Sequence, residues 1–134
     1  MFVVDASVTL TWCFEDETTE ATQALLRRLF VEGGLAPGHW PVEVANGLWS
    51  AERRGRLAPG KLTAARTVLG TIPVDIVPMT LAEALGSLDV ARAHDLTAYD
   101  AAYLDLARSR GLGLATADHR LAAACRTVGV PLIE

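Results

Sequence analysis

The chain opens with Phe2-Val3-Val4-Asp5-Ala6-Ser7, in which an apolar run ends at a carboxylate. A short apolar run that is followed at once by polar residues is typical of a buried strand. Farther along, short β-rich runs alternate with longer helical ones, and this alternation predicts a largely parallel sheet covered by helices. The carboxyl ends of parallel strands lie at one edge of the sheet, where such folds bind their ligands. Asp5 is therefore expected at that edge.

The remaining elements follow from hydrophobic periodicity and from start and stop signals. The glycines at 33–34 end a helix, Pro41 suits the first turn of another, and Thr80-Leu81-Ala82-Glu83 matches a capping box. Strands are expected at residues 2–5, 35–36, 74–77, 112–116 and 130–133. A short helix is expected to follow the first strand and to end near residue 12. Further helices are expected to cover residues 18–32, 41–54, 59–69, 80–94, 97–111 and 120–128.

Length and composition favour a single globular domain, residues 1–134, because 51% of the residues are hydrophobic. The apolar runs are too short to span a bilayer and no signal peptide is visible, so a cytoplasmic location is expected. Cys13 and Cys125 lack the spacing of a metal-binding pair and are expected to be reduced thiols used in packing. The net charge of −4 argues against binding nucleic acid through bulk positive charge. It does not exclude a nuclease, since bound metal ions offset local negative charge.

Four acidic residues, Asp5, Glu43, Asp100 and Asp118, occur where predicted elements begin or end. Each has a structural explanation, because an acid at a helix start can bind free backbone N–H groups or favour the helix dipole. Their joint occurrence at matching ends of βα units favours a common site instead. Carboxylates brought together repel one another unless a cation lies between them, and Mg²⁺ or Mn²⁺ is the natural choice for oxygen ligands. Asp105 is assigned to the surface.

The helix that carries Glu43 is expected to have two distinct sides. Its apolar side is expected to comprise Val42, Ala45, Leu48 and Trp49. Its polar face comprises Glu43, Asn46, Gly47 and Ser50, spaced three and four residues apart. Trp40 and Trp49 are expected in the core rather than as platforms for bases.

Four strings together resemble one known family. They are the opening Phe2-Val3-Val4-Asp5-Ala6-Ser7, the isolated helix residue Glu43, Leu96-Thr97-Ala98-Tyr99-Asp100-Ala101-Ala102-Tyr103-Leu104, and Thr116-Ala117-Asp118. This combination resembles a PIN domain, and more narrowly VapC, the ribonuclease toxin of VapBC toxin–antitoxin pairs. The resemblance covers essentially the whole chain, and the chain has an acidic residue at all four acidic positions of the family pattern.

The resemblance implies a three-layer α/β/α domain with a central, mainly parallel sheet of four to five strands. It implies Mg²⁺- or Mn²⁺-dependent cleavage of RNA, with the metal held by Asp5, Asp100 and Asp118, and by Glu43 directly or through water. Ser7 and Thr116 match accessory hydroxyls that support the metal ligands. The family also implies a VapB-type antitoxin as partner, and homodimers are common in it.

Other functions remain open from the sequence. Asp5 after a strand also suits a phosphotransfer enzyme of the haloacid dehalogenase kind, but Ser7 stands where a second aspartate is required and Lys61 lies in a mid-chain helix. The chain also lacks the adjacent acidic pair after the first strand and the late lysine that a receiver domain needs. A PIN-like module that binds RNA or protein without cleaving is the non-enzyme alternative. Arg53, Arg54 and Arg56 cluster at a helix end, where they could contact RNA or complement the helix dipole.

Overall fold

Four short parallel strands form the centre of the computed structural model, which describes residues 1–134. The strands are β1 (Phe2–Val4), β2 (Gly34–Pro37), β3 (Val74–Val77) and β4 (Leu114–Ala115), and they lie in the order β3-β2-β1-β4. The chain adds β2 and β3 on one side of β1 and then returns to place β4 on the other. The point between β1 and β4 is therefore the topological switch point, where parallel sheets form their ligand crevice.

Eight α-helices connect and cover the strands. They are α1 (Ala6–Thr11), α2 (Glu20–Glu32), α3 (Trp40–Arg53), α4 (Pro59–Leu69), α5 (Leu81–Gly86), α6 (Leu88–His94), α7 (Ala98–Arg110) and α8 (His119–Val128), with a 3₁₀ turn at Glu15–Glu17. Side chains cap several of them, and Asp5, Thr97 and Asp118 cap α1, α7 and α8. Three of these helices thus begin at the ligand edge of the sheet. None of the helices combines the length and apolarity that crossing a bilayer requires.

Both faces of the sheet are covered. Phe2, Val3 and Val4 each have 0% exposure, and successive residues of a strand point to opposite faces. Helix α7 packs against β1, β2 and β4 and is buried over much of its circumference. The fold is the three-layer α/β/α arrangement with a parallel sheet that the sequence predicted.

Three predicted elements differ clearly in extent from the structure. The single helix expected at 80–94 is two helices that meet at Ser87, whose hydroxyl donates a 2.7 Å hydrogen bond to Asp105 Oδ2. Asp105 is therefore a partly buried partner and not a surface residue. The expected last strand is reduced to one bridge between Leu114 and Leu132, and β4 itself is shorter than predicted.

The predicted apolar side of α3 was largely wrong. Val42 is 73% and Trp49 55% exposed, and Ala45 is exposed as well. The buried residues of α3 are instead Trp40, Val44, Leu48 and Ala51. Apolar residues lie on two sides of this helix, and only tertiary contacts decide which side faces the core. The core position predicted for Trp40 is confirmed, and both cysteines are free, as expected.

Candidate functional site

Asp5 lies at the carboxyl end of β1 and is almost completely buried, with 2% exposure. Its Oδ1 accepts a 2.8 Å hydrogen bond from the backbone N–H of Val8, which caps α1. The Ser7 hydroxyl lies 2.8 Å and 2.7 Å from the two carboxylate oxygens, and the Thr116 hydroxyl donates to Oδ2. Burial raises the pKa of Asp5 to about 6, although these hydrogen bonds favour the charged form.

Ser7 and Thr116 connect the end of β1 to the end of β4. Their hydroxyl oxygens are 3.2 Å apart. The Ser7 hydroxyl accepts a hydrogen bond from the backbone N–H of Ala117 at 2.9 Å, and that of Thr116 accepts one from Asp118 at 3.0 Å. The two hydroxyls therefore fix Asp5 relative to the loop after β4.

Asp118 and Asp100 begin the helices that flank this crevice. Asp118 caps α8 by accepting a 2.8 Å hydrogen bond from the Leu121 N–H, and its side chain is half-buried. Asp100 lies in the first turn of α7, where its N–H donates to the Thr97 hydroxyl at 3.1 Å. Burial, followed by the negative charge of Asp118, raises the pKa of Asp100 above its ordinary value.

Glu43 reaches the same region from α3. Its Oε1 accepts a 3.0 Å hydrogen bond from the hydroxyl of Tyr103, a fully buried residue of α7. Burial raises the pKa of Glu43, and the negative charges of Asp100 and Asp5 add to the rise, while the Tyr103 hydrogen bond opposes it. All four predicted carboxylates therefore belong to one electrostatically coupled region at the switch point.

A family model for the PIN domain matches residues 2–126. The chain belongs to the PIN-domain family. Ribonuclease VapC3 of Mycobacterium tuberculosis is 36% identical over 124 residues, covering 91% of this chain and 85% of VapC3. The solved structure of PAE2754 from Pyrobaculum aerophilum is 28% identical with a TM-score of 0.69, covering 98% of this chain and 82% of that one. A toxin–antitoxin complex from Klebsiella pneumoniae, at 14% identity, shares the fold with a TM-score of 0.64 and covers 100% of this chain and 97% of its own.

In this PIN domain the carboxylates approach one another without forming a closed cage. No three His, Cys, Asp or Glu side chains lie close enough to bind one metal ion together. The four acidic side chains and the hydroxyls of Ser7 and Thr116 nevertheless offer oxygen donors, and a cation would stabilise the buried Asp5 carboxylate, whose pKa is raised to about 6. The donor chemistry therefore fits a hard divalent ion.

Two residues of the site were missed by sequence reasoning. Tyr103 was given no role, although it lies three residues after Asp100, a spacing that places both side chains on one side of α7. His39 had no signal in the sequence. Its Nε2 is buried without a hydrogen-bond partner and lies 3.9 Å from Glu43 Oε1. Its ring packs edge-on against Tyr103 at 4.9 Å and tilted against Tyr99 at 5.4 Å, and burial lowers the pKa of His39.

Proposed function

We propose that residues 1–134 form one PIN domain that acts as a Mg²⁺- or Mn²⁺-dependent endoribonuclease, the toxin of a VapBC-type toxin–antitoxin pair. The observation that carries this proposal is the buried Asp5 carboxylate at the switch point, whose pKa is raised to about 6 in a region shared with three further acids. A buried carboxylate with a perturbed pKa in a crevice is a candidate for chemistry. The similarity to ribonuclease VapC3 supports RNA as the substrate.

The residues that would hold the ion are Asp5, Asp100 and Asp118, with Glu43 directly or through water. Three donors approach Asp5, namely the Val8 N–H and the hydroxyls of Ser7 and Thr116. A carboxylate offers about four lone-pair positions, so roughly one remains for a cation. No three acidic side chains are close enough to share an ion. On binding of the ion, the half-buried side chains of Asp100 and Asp118 would therefore turn toward Asp5 or would contact the ion through water.

A bound divalent ion supplies an acidified water and stabilises negative charge on the phosphate. The chain's own residues orient the reactants. Tyr103 holds Glu43 through Oε1, which leaves Oε2 free to accept a proton from the attacking water. The raised pKa of Glu43 suits this role, because a general base works best when its pKa approaches the ambient pH. Ser7 and Thr116 keep Asp5 in one orientation.

The competing phosphotransfer mechanism has no support in the site. Ser7, where that mechanism needs a second aspartate, donates a hydrogen bond to Asp5 and cannot act as its acid–base partner. Lys61, the only lysine, is exposed and paired with Glu15 at the surface. A lysine close to the acidic residues is therefore missing.

The proposal includes a VapB-type antitoxin and a homodimer. The structural neighbour from Klebsiella pneumoniae is a toxin–antitoxin complex, and an acidic crevice suits a partner that offers a basic residue. For the dimer, α2 presents Phe30 at 52% and Val31 at 86% exposure, which makes this helix the candidate contact.

Incubation of the purified protein, free of antitoxin, with a pool of cellular RNA tests the function. Cleavage is expected with Mg²⁺ or Mn²⁺ and is expected to stop on addition of EDTA. The Asp5→Asn variant, which keeps the shape of the side chain, is expected to be inactive and to relieve growth arrest when it replaces the wild type in cells. Cleavage that persists in EDTA or in the variant would contradict the metal–carboxylate mechanism. RNA binding without any cleavage would favour the alternative of a PIN-like module that binds RNA or protein without cleaving it.

A further inference from the structure

One face of α3 leads away from the acidic crevice. Glu43, Gly47, Ser50 and Arg54 follow one another at spacings of four, three and four residues, so they lie on the same side of the helix. Arg54, the C-cap residue that follows α3, is eleven residues beyond Glu43, which places it about 16 Å farther along the helix axis. The polar face predicted from the sequence therefore extends to a cation.

A groove of about 370 Å³ runs beside this face. It starts at Ser7 and Asp118 in the acidic crevice and extends to Arg54 at the end of α3. Gly47 lies along it, where a Cβ atom would come within 2.3 Å of Leu10 Cδ1. The close packing of α1 and α3 at this glycine forms the floor of the groove. The groove is thus continuous with the place where the scissile phosphate would be held.

The structure distinguishes the three arginines that cluster at the end of α3. Arg56 contacts Asp16 at 3.1 Å and Glu17 at 3.6 Å, so nearby carboxylates balance its charge. Arg53 lies over the ring of Trp49, with its guanidinium carbon 5.8 Å from the ring centroid. Arg54 and Arg56 both line the groove, and Arg54 is the one of the two that is exposed without an ion pair. Arg54 is therefore the arginine of the groove whose charge no carboxylate balances.

We propose that the groove holds the single RNA strand next to the scissile bond and that Arg54 binds a phosphate of that strand. This inference rests on the proposed nuclease function. The protein carries a net charge of −4, so the RNA backbone needs a local cation to lie against it. Arg54 provides this cation about 16 Å along the helix from Glu43. A planar guanidinium also suits bidentate contact with phosphate oxygens.

Cleavage kinetics with two substrates test the role of Arg54. The substrates are an RNA of about 12 nucleotides, long enough for a single-strand groove, and a dinucleotide, which is too short to reach Arg54 from the crevice. Arg54→Ala is expected to raise KM for the long RNA about tenfold, the effect of losing one charge-assisted hydrogen bond. KM and kcat for the dinucleotide should stay unchanged. Arg53→Ala, which removes the same charge one residue away, is the matched control and should affect neither substrate.

Binding measured without cleavage separates this inference from the proposed function. Fluorescence anisotropy of the labelled long RNA with Asp5→Asn protein gives the affinity at several salt concentrations. A second substitution, Arg54→Ala, in the Asp5→Asn protein is expected to reduce the slope of log K against log salt concentration by about 0.7. This is the value for one lost phosphate contact on a single strand. Equal slopes for the Arg54→Ala and Arg53→Ala proteins would overturn the inference even if the wild type cleaves RNA. If Arg54→Ala impaired cleavage of the dinucleotide as much as cleavage of the long RNA, the inference would also be overturned, since that result indicates a disturbed catalytic site. If Arg54→Ala weakens only antitoxin binding, the groove belongs to the protein partner and the inference is wrong.

Discussion

The metal-free protein is expected to be less stable at neutral pH than in mild acid, because Asp5 is buried. The pKa of Asp5 is about 6 in the folded protein and 3.8 in its unperturbed state. A carboxyl group whose folded pKa is raised stabilises the fold fully below its unfolded pKa, and this contribution is lost as the pH rises through the folded value. The full difference corresponds to about 3 kcal/mol, of which roughly half is recovered at about pH 5.

Urea denaturation in the presence of EDTA at about pH 5 and about pH 7.5 measures this effect. The midpoint of the wild type is expected to fall by about 0.5 to 1 M between the two conditions, with an unchanged m value. The Asp5→Asn variant is expected to lose this part of the pH dependence and to be the more stable protein at neutral pH. Its amide can still accept from the Val8 N–H, and the hydroxyls of Ser7 and Thr116 can accept from it.

Divalent ions provide the second half of the experiment. Addition of Mg²⁺ at neutral pH is expected to stabilise the wild type, by about 2.7 kcal/mol at one hundred times the dissociation constant. Asp5→Asn should show a much smaller gain. The reasoning is refuted if the wild type and the variant have parallel pH profiles, or if the stability of the metal-free wild type rises between mild acid and neutral pH while that of the variant does not.

Two further substitutions test contacts around the site. Tyr103→Phe removes the hydrogen bond to Glu43 but keeps the buried ring, so kcat is expected to fall about tenfold with little change in KM, whereas Tyr99→Phe should have no such effect. An unchanged kcat would show that Glu43 needs no support from Tyr103. Ser87→Ala leaves Asp105 without its partner and is expected to lower the free energy of unfolding by about 1 to 3 kcal/mol while leaving cleavage intact, as thermal denaturation and an RNA assay would show. A loss of cleavage at unchanged stability would contradict the structural role of Asp105.

The fold class and the placement of three acidic residues at element boundaries could be predicted because they depend on local signals. Asp5 and Asp118 each follow an apolar run, and Asp100 follows a capping threonine, so each could be placed at an element boundary. The parallel sheet followed from the alternation of strands and helices. The order of the strands, which makes the point between β1 and β4 the switch point, required the structure.

The parts that could not be predicted depend on contacts between distant residues. The break at Ser87 is matched by a hydrogen bond to Asp105 on another helix, and the capping box at Thr80 gives no sign of it. Trp49 is exposed because α3 turns the side with Trp40 and Val44 toward the core, a choice that periodicity alone leaves open. The contact of Tyr103 with Glu43 spans 60 positions of sequence.

The hydroxyl contacts between β1 and β4 also set the order in which the site can be assembled during synthesis. Thr116 binds Asp5 across 111 positions of the chain, and Ser7 meets Thr116 across 109. Asp5 leaves the ribosome 111 residues before Thr116, its partner on the loop after β4. A chain that ends before residue 114 lacks Thr116 and Asp118, and with them the wall of the crevice opposite Asp5. The site is therefore complete only after the segment that carries Thr116 and Asp118 has been made.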